Sequence, residues 1–314
     1  MDFLRTTRQA LREAWGCSVS ALDLVAEKHG RRCYRADADA GPLFVKVQDS
    51  GADGGEDILA GLRVQRYLRS RNMPVSEPLL TKDGRDHAQT EGRLYTAERW
   101  LEPEARATGP EQWRELGELC GRLHRLPATD EIGDLVSRLD PGKTLDAVRQ
   151  RLAPYRAAVP AEYRAALAAC LDEAAALDHM EGLPRVLIHS DLTWDNVVRH
   201  RGVLHLIDLE GAGTAPAVMD LAEVTTKLCR GHSASGPLDE DAARAFYRGY
   251  LKHRRLADAE IAALPAAHFF QEIYYLENSL GRGDFDFLNR MGARLQNWRG
   301  GAFEFLAAAA AGRA

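Results

Sequence analysis

The stretch IHSDLTWDNVV, residues 188–198, sets a His, two Asp and an Asn among apolar residues of the kind that end in a core. After a short turn VLHLIDLEGAG, residues 203–213, brings another acid, Asp208, to the end of an apolar run. If the two runs pair as a hairpin across Arg199 to Val203, Asp208 returns to the neighbourhood of Asp191 and Asn196. Asn196 and Asp208 then supply hard oxygen ligands of the kind Mg²⁺ takes, with places left for phosphate oxygens. Asp191 is left to accept a proton from a hydroxyl. Phosphoryl transfer needs that division of labour, with charge neutralised by metal and the nucleophile oriented by a base. A lone Asp in such a loop is more often a turn residue. The weight lies in the joint pattern H-x-D-x(4)-N followed by an apolar run ending in Ile-Asp.

Composition narrows the classes around this motif. The chain has 314 residues, 45% hydrophobic and 28% charged, enough for two lobes with sizeable cores. A formal net charge of −5 speaks against nucleic acid as a partner and suits a neutral or cationic small molecule. Cysteines 17, 33, 120, 170 and 229 are scattered without a CxxC, which suggests neither zinc nor a disulfide framework. MDFLRTTRQALREAW is charged and amphipathic with no apolar h-region, and no run reaches the length of a membrane span. The expected location is the cytoplasm, with no membrane partner. Nothing in the sequence bears on oligomeric state.

Outward from the motif, residues 2–15 read as a helix. CYRADAD (33–39) and GPLFVKVQD (41–49) read as a hairpin, and GGEDILAGLRVQRYLRSR (54–71) reads as a helix stopped by Met73-Pro74. SEPLLT and DGRDHAQTEGRLYTAERWL add two or three strands with turns at Asp83-Gly84 and Glu91-Gly92. Past residue 102 the texture turns helical: 111–126, roughly 143–156, 161–179 and 239–314, the last ending in an alanine-rich tail expected to fray. The expected fold is α+β and two-lobed. A β-rich lobe spans 1–98, and a helical lobe with a β insertion spans 99–314. Lys46 stands alone among Phe44, Val45 and Val47, a costly position unless it snorkels to water or meets an anion.

HSDLTWDNVV with LIDLEGAG resembles the catalytic and metal-binding segments of the aminoglycoside phosphotransferase and choline kinase-like families, small-molecule kinases with the protein-kinase fold. FVKV, RNMPVSEPL, LYTAERWLEP, LGELCGRLHRLP and APAVMDLAEV follow in the family's order, so the resemblance covers most of residues 20–280. It implies ATP or GTP as phosphoryl donor and Mg²⁺ as cofactor. By position it makes Asp191 the catalytic base and Asn196 and Asp208 the metal ligands. His189 becomes a brace of the catalytic loop, Asp220 a structural acid, and Lys46 the contact to the α/β-phosphates. The backbones of Glu98 and Trp100 would read the purine edge.

Three departures from the family pattern stand out. The acid that pairs with Lys46 has no mid-helix candidate, since Arg63 and Gln65 stand there, and Glu56 is the favoured substitute. The phosphate-covering loop EKHGRRCYR has one glycine, Gly30, with Arg31 or Arg32 able to supply charge; Arg32 is taken as the contact. Ser190 stands where the family commonly has Gly. Glu210 either assists with metal or substrate or is a surface acid. Acceptor contacts are expected from Trp194 and Asp195, from acids at 239–241, and from FFQEIYYLENSL (269–280), chiefly Glu272 and Tyr275.

The function so implied moves the γ-phosphate of a nucleotide to a hydroxyl of a small molecule. An antibiotic or related natural product comes first as acceptor. A metabolic kinase acting on homoserine, an amino sugar or a choline-like alcohol is the alternative. A non-catalytic nucleotide-binding protein is disfavoured because Lys46, Asp191, Asn196 and Asp208 are all present.

Overall fold

Two-residue periodicity along the first strands divides their side chains between two faces. In the computed structural model β1 (Val19–Lys28), β2 (Arg31–Ala38), β3 (Gly41–Asp49), β4 (His87–Thr90) and β5 (Arg93–Arg99) form an antiparallel sheet in the order β1-β2-β3-β5-β4. The structure describes residues 3–28, 30–49, 55–105, 109–141, 150, 152–155, 159–168, 180, 182–227, 237–291 and 301–314, the side chains of 28, 277 and 278 excepted. One face carries Tyr34, Ala36, Leu43, Val45, Val47, Tyr95 and Ala97. These pack with Ala10, Leu11 and Trp15 of α1 (Phe3–Trp15). The other face carries Leu94, packed on Ile58 and Leu62 of α2 (Gly55–Ser70). Register places Cys33 opposite Lys46 and Lys46 opposite Thr96, so Lys46 belongs to the face that α2 covers.

Turn chemistry sets the register. Glu91 and Gly92 both have positive φ, 48° and 70°, the backbone of a two-residue primed turn that matches strand twist. The end of α2 is a Schellman closure: Asn72 takes φ 56°, its N–H donates to Arg69 O, and the Met73 N–H donates to Leu68 O. SEPLLT forms no strand; its Pro78 makes one isolated bridge to Glu98.

The chain divides into two compact units, Met1–Ala105 with Val197–Glu210, and Arg106–Asn196 with Gly211–Ala314. The boundary expected at 98/99 therefore moves, and the hairpin of β7 (Val197–His200) and β8 (Val203–Leu206) falls in the first unit together with Asp208. Hydrogen bonds explain this. The Leu206 N–H donates to Pro74 O at 2.9 Å, and the Glu104 N–H donates to Arg199 O at 2.8 Å. The Glu104 carboxylate receives the N–H groups of Arg201 and Gly202 at 2.5 and 2.8 Å, which lowers its pKa.

In the second unit β6 (Arg185–Ile188) pairs antiparallel with β9 (Gly213–Pro216). Around them stand α3 (Pro110–His124), α4 (Val218–Lys227), α5 (Glu240–Tyr250), α6 (Asp258–Ala262), α7 (Leu264–Gly281) and α8 (Phe303–Ala310). On α3, Trp113, Leu116, Cys120 and Leu123 are buried, as their spacing predicts. The α3–α5 contact is made by glycines. A Cβ on Gly117 would fall inside contact distance of Phe246 O, one on Gly249 would do the same to Arg114 O, and one on Gly121 would stand 2.6 Å from Tyr250 O. Because backbone opposes backbone there, Gly117→Val is expected to destabilise the unit by about 3 kcal/mol, the upper end for overpacking. Urea unfolding followed by circular dichroism would measure it; an unchanged midpoint would contradict the packing.

The alanine-rich end is not frayed. Leu306, Ala309 and Ala310 of α8 are buried, because small side chains let that helix lie close to its neighbours. Most of the expected helices at 143–156 and 161–179 lies outside the described residues; within them residues 150, 152 and 155 are helical, a 3₁₀ turn spans Ala161–Tyr163, and 164–168 are helical. Among the described residues no helix is long and apolar enough to cross a membrane.

Candidate active site

Lys46 is 8% exposed, and a buried ammonium must be paired. Its Nζ lies 2.5 Å from Glu210 Oε1 and 3.1 Å from Asp208 Oδ1. Burial works against the charge, but Glu210, Asp208 and Glu98 outweigh it and hold the Lys46 pKa above its ordinary value. The partner expected on α2 is thus absent: Glu56 is exposed at the first turn, and the carboxylates come from the segment after β8. That segment can lie against α2 because Gly61 has no side chain; a Cβ there would stand 3.1 Å from Glu210 Cα. Asp208 itself takes φ 58°, a left-handed conformation that costs a non-glycine residue about 1 kcal/mol and aims its carboxylate.

The cleft around this group is lined by Lys46, Ile58, Leu62, Gln65, Thr96, Glu98 and Asp208 to Glu210. Gln65, at mid-helix in α2, is buried and donates to Ser76 Oγ at 2.8 Å and to Glu98 Oε2 at 2.9 Å. Ser76 Oγ also donates to Glu98 Oε2. The Glu98 side chain, expected to matter less than its backbone, is therefore fixed toward the cleft by two donors. The Trp100 N–H is already committed, donating to Pro42 O at 3.1 Å, so it is not free to read a purine edge as expected. Its ring instead packs 6.4 Å from that of Phe44.

Gly30 has φ 74°, which its lack of a Cβ allows at the β1–β2 turn. Arg32 is not on the Lys46 side. Strand alternation turns it to Glu27, at 2.8 Å, and over the Phe3 ring, at 4.4 Å. Its neighbour Arg31 faces the cleft, pairs with Glu210 Oε2 and donates to Gln48 Oε1 at 3.3 Å. Cys33 lies on the same face, and burial raises its thiol pKa.

In the second unit the loop after β6 is held by one buried acid. Asp220 Oδ2 and Oδ1 receive the N–H groups of His189 and Ser190, both at 2.8 Å. Asp220 Oδ2 also lies 3.1 Å from His124 Nε2, and His124 Nδ1 lies 3.0 Å from the Tyr250 hydroxyl. Burial opposes the Asp220 charge, but His124 and the His189 N–H keep its pKa below the usual range. Ser190 takes φ 70°, a left-handed conformation that glycine adopts without strain.

Asp191 projects from that braced loop. Its Oδ1 lies 3.1 Å from Lys227 Nζ, and its Oδ2 lies 3.2 Å from Arg138 NH2. Burial raises its pKa, and Lys227 and Arg138 lower it by more, so it stays ionised. Asn196 Nδ2 donates to Asp191 O at 2.9 Å, which orients the amide and leaves Oδ1 as its acceptor atom. Asn196 Oδ1 in the second unit, and separately the Asp208 carboxylate in the first, 43% exposed, are each hard oxygen donors of the kind Mg²⁺ takes.

The expected acceptor contacts divide. Trp194 packs edge-on against Trp113 at 5.1 Å, and Asp195 is exposed. Glu272 is fully buried, so it is not a solvent-facing amine ligand. Asp239 caps α5 by accepting from the Ala242 N–H, and Asp241 pairs with Arg244. Tyr275 lies beside the loop, its hydroxyl 3.3 Å from Glu223 Oε1 and its ring 4.9 Å from Lys227 Nζ. Burial, then Glu223, pushes its pKa up. Sequence reasoning passed over Arg138, Glu223 and Lys227. Glu223 and Lys227 carry a legible signal, an acid and a lysine four residues apart on one helix; nothing local marks Arg138.

Glu223 is 1% exposed, and burial pushes its pKa from 4.5 up to about 7 despite its pairing with Lys227. A raised folded-state pKa means the folded protein holds this proton more tightly than the unfolded chain. The stability this provides is complete below pH 4.5 and is lost as pH rises through about 7. Over that window the loss is on the order of 3 kcal/mol. Glu223→Gln should flatten this part of the stability–pH curve, measured by urea unfolding at pH 5 and pH 8. Identical slopes for the two proteins would contradict it.

A model of the phosphotransferase enzyme family matches residues 24–263. The chain belongs to that family. Two curated relatives are named homoserine kinase. That of Methylobacterium radiotolerans is 28% identical over 67% of this chain and 64% of its own length. That of Gluconobacter oxydans is 34% identical over 48% of this chain and 47% of its own. The chain thus spans less than two thirds of the length of either. Among solved structures, a spectinomycin phosphotransferase with ADP and spectinomycin has a TM-score of 0.68 at 17% identity, covering 96% of this chain and 93% of its own. An amicoumacin kinase scores 0.70 at 17%, covering 97% and 94%. A microcompartment-associated aminopropanol kinase scores 0.72 at 16%, covering 96% and 98%. At 16–17% identity these likenesses show the kinase-like α+β fold.

Proposed function

We propose that the protein is a small-molecule O-phosphotransferase that moves the γ-phosphate of ATP or GTP to a hydroxyl. The observation that carries this reading is the buried Lys46 held on Asp208 and Glu210, an ammonium kept charged and aimed into a cleft. In the proposed reaction Lys46 and Arg31 bind nucleotide phosphate oxygens, for which the Glu210 carboxylate is the resident substitute. Asn196 and Asp208 are assigned to Mg²⁺, which would neutralise phosphate charge when bound. Asp191 orients the acceptor and takes its proton as the acceptor oxygen bonds to the γ-phosphorus and the bond to the β-phosphate oxygen breaks.

A metabolic acceptor of the hydroxy-amino-acid or amino-alcohol type is favoured by the names of the two curated relatives. An antibiotic acceptor is the second reading, favoured by two structural neighbours named for antibiotics. Release of ADP or GDP with Mg²⁺, over a panel of homoserine, amino alcohols, amino sugars, aminoglycosides and other antibiotics, separates the two. Turnover that depends on one acceptor class is the expected result. Nucleotide binding without acceptor-dependent turnover across the panel would overturn the reading.

A further inference from the structure

The proposed chemistry gives work to Asp191 and leaves its two cationic neighbours unexplained. A base needs no pair of cations on its carboxylate; they make it a poorer proton acceptor. Yet Lys227 Nζ lies on Oδ1 and Arg138 NH2 on Oδ2, at 3.1 and 3.2 Å. Both cations have further partners: Lys227 is tied to the buried Glu223 and is 28% exposed, and Arg138, 45% exposed, also donates from NH2 to Ser190 O at 3.4 Å.

Arg138 is placed with care by the backbone. Ser137 N–H donates to Thr214 O at 3.2 Å, and Ser137 Oγ donates to Gly211 O at 3.2 Å, which pins the segment. The guanidinium then passes over Gly211, where a Cβ would stand 2.5 Å from Arg138 Nε and closer still to Ser190 Oγ. The bare glycine thus lets the arginine lie close beside the loop that carries Asp191. A guanidinium with five N–H donors in a planar fork suits a carboxylate, and an ammonium beside it adds charge. A polycationic acceptor would meet like charge at the same place.

We infer that Arg138 and Lys227 form a carboxylate-binding subsite beside Asp191, so that the acceptor is a small hydroxy acid, with hydroxylated amino acids the best-fitting class. The inference rests on the kinase reading above and gives its acceptor site a charge requirement. The carboxylate of such an acceptor takes over donors now spent on Asp191, so binding of the correct substrate frees the base.

The test uses acceptor pairs that differ only in the carboxylate: homoserine and 3-aminopropan-1-ol, serine and ethanolamine, threonine and 1-aminopropan-2-ol. For at least one pair the acid should exceed its amino alcohol in kcat/KM by about 10- to 100-fold, the range of one charged contact. Arg138→Met should bring that ratio toward one with the nucleotide KM unchanged, and Arg138→Lys should keep part of it. Amino alcohols used as well as the acids, a ratio untouched by Arg138→Met, or a loss seen in nucleotide KM instead would overturn the subsite. Calorimetric binding of the same pairs reads the subsite apart from turnover. An acid that binds in an Arg138-dependent way without being phosphorylated would sustain the subsite and remove the kinase reading. Absence of both binding and turnover for every acid would overturn the subsite itself.

Discussion

Asp191→Asn is expected to lower acceptor-dependent turnover by about three orders of magnitude while nucleotide affinity stays within a few-fold of the wild type. The substitution keeps the size of the side chain and removes its charge and its ability to take a proton. The loop that carries it should survive, because its fixed points lie elsewhere: Asp220 receives the His189 and Ser190 N–H groups, and Asn196 bonds to the backbone carbonyl of residue 191. Lys227 retains Glu223. Nucleotide affinity is expected to persist because Lys46, Arg31 and the α2-covered cleft belong to the first unit. Initial rates of ADP release and fluorescence titration with a nucleotide analogue make the two measurements. Turnover within tenfold of the wild type would remove Asp191 from its role.

Lys46→Met should act on the other half of the chemistry, with a fall of about 100-fold in kcat/KM for the nucleotide, the scale on which a single preorganised donor counts. It should also lower stability by about 3 kcal/mol. Glu210 would keep Arg31, but Asp208 and Glu98 would lose the cation that holds their charges together in a cleft. The two effects separate in measurement: thermal unfolding reports the stranded carboxylates, and nucleotide titration reports the lost phosphate contact. Lys46→Arg restores charge without the reach of a single ammonium, and it should recover stability more than activity. Equal nucleotide affinity in wild type and Lys46→Met would contradict the assignment.

Much of this was legible in one dimension. Alternation in FVKV put Lys46 on the opposite face from Val45 and Val47, and spacing in EQWRELGELCGRLHRL named the buried face of α3. The D-x(4)-N and Ile-Asp segments stood out because their polar residues sit in apolar surroundings. Elements whose hydrophobic period is unbroken and whose turns use Gly or Asn with positive φ can be read locally, since the forces that form them act over a few residues.

The differences between expectation and structure share one cause. The family's order of elements points to Glu56 for Lys46, but ion pairs are set by which backbones approach, and Gly61 lets the Leu209–Glu210 backbone approach α2. The sequence does not separate Arg31 from Arg32, because strand parity at an irregular turn cannot be counted from outside; pairing with β3 sets it. Arg138 escaped notice because it reaches Asp191 only through the hydrogen bonds of Ser137 to residues more than seventy positions later.

The sequence by itself determined the family and the class of fold, and it supplied the residues to which phosphoryl transfer is assigned under the proposed function. Those depend on residue type and near spacing, which the chain states directly. The tertiary structure decided the electrostatic company each of them keeps: Glu210 on Lys46, Gln65 and Ser76 on Glu98, Lys227 and Arg138 on Asp191. Charge interactions fall off over a few ångströms and take no account of separation along the chain, so only the folded backbone selects the partners.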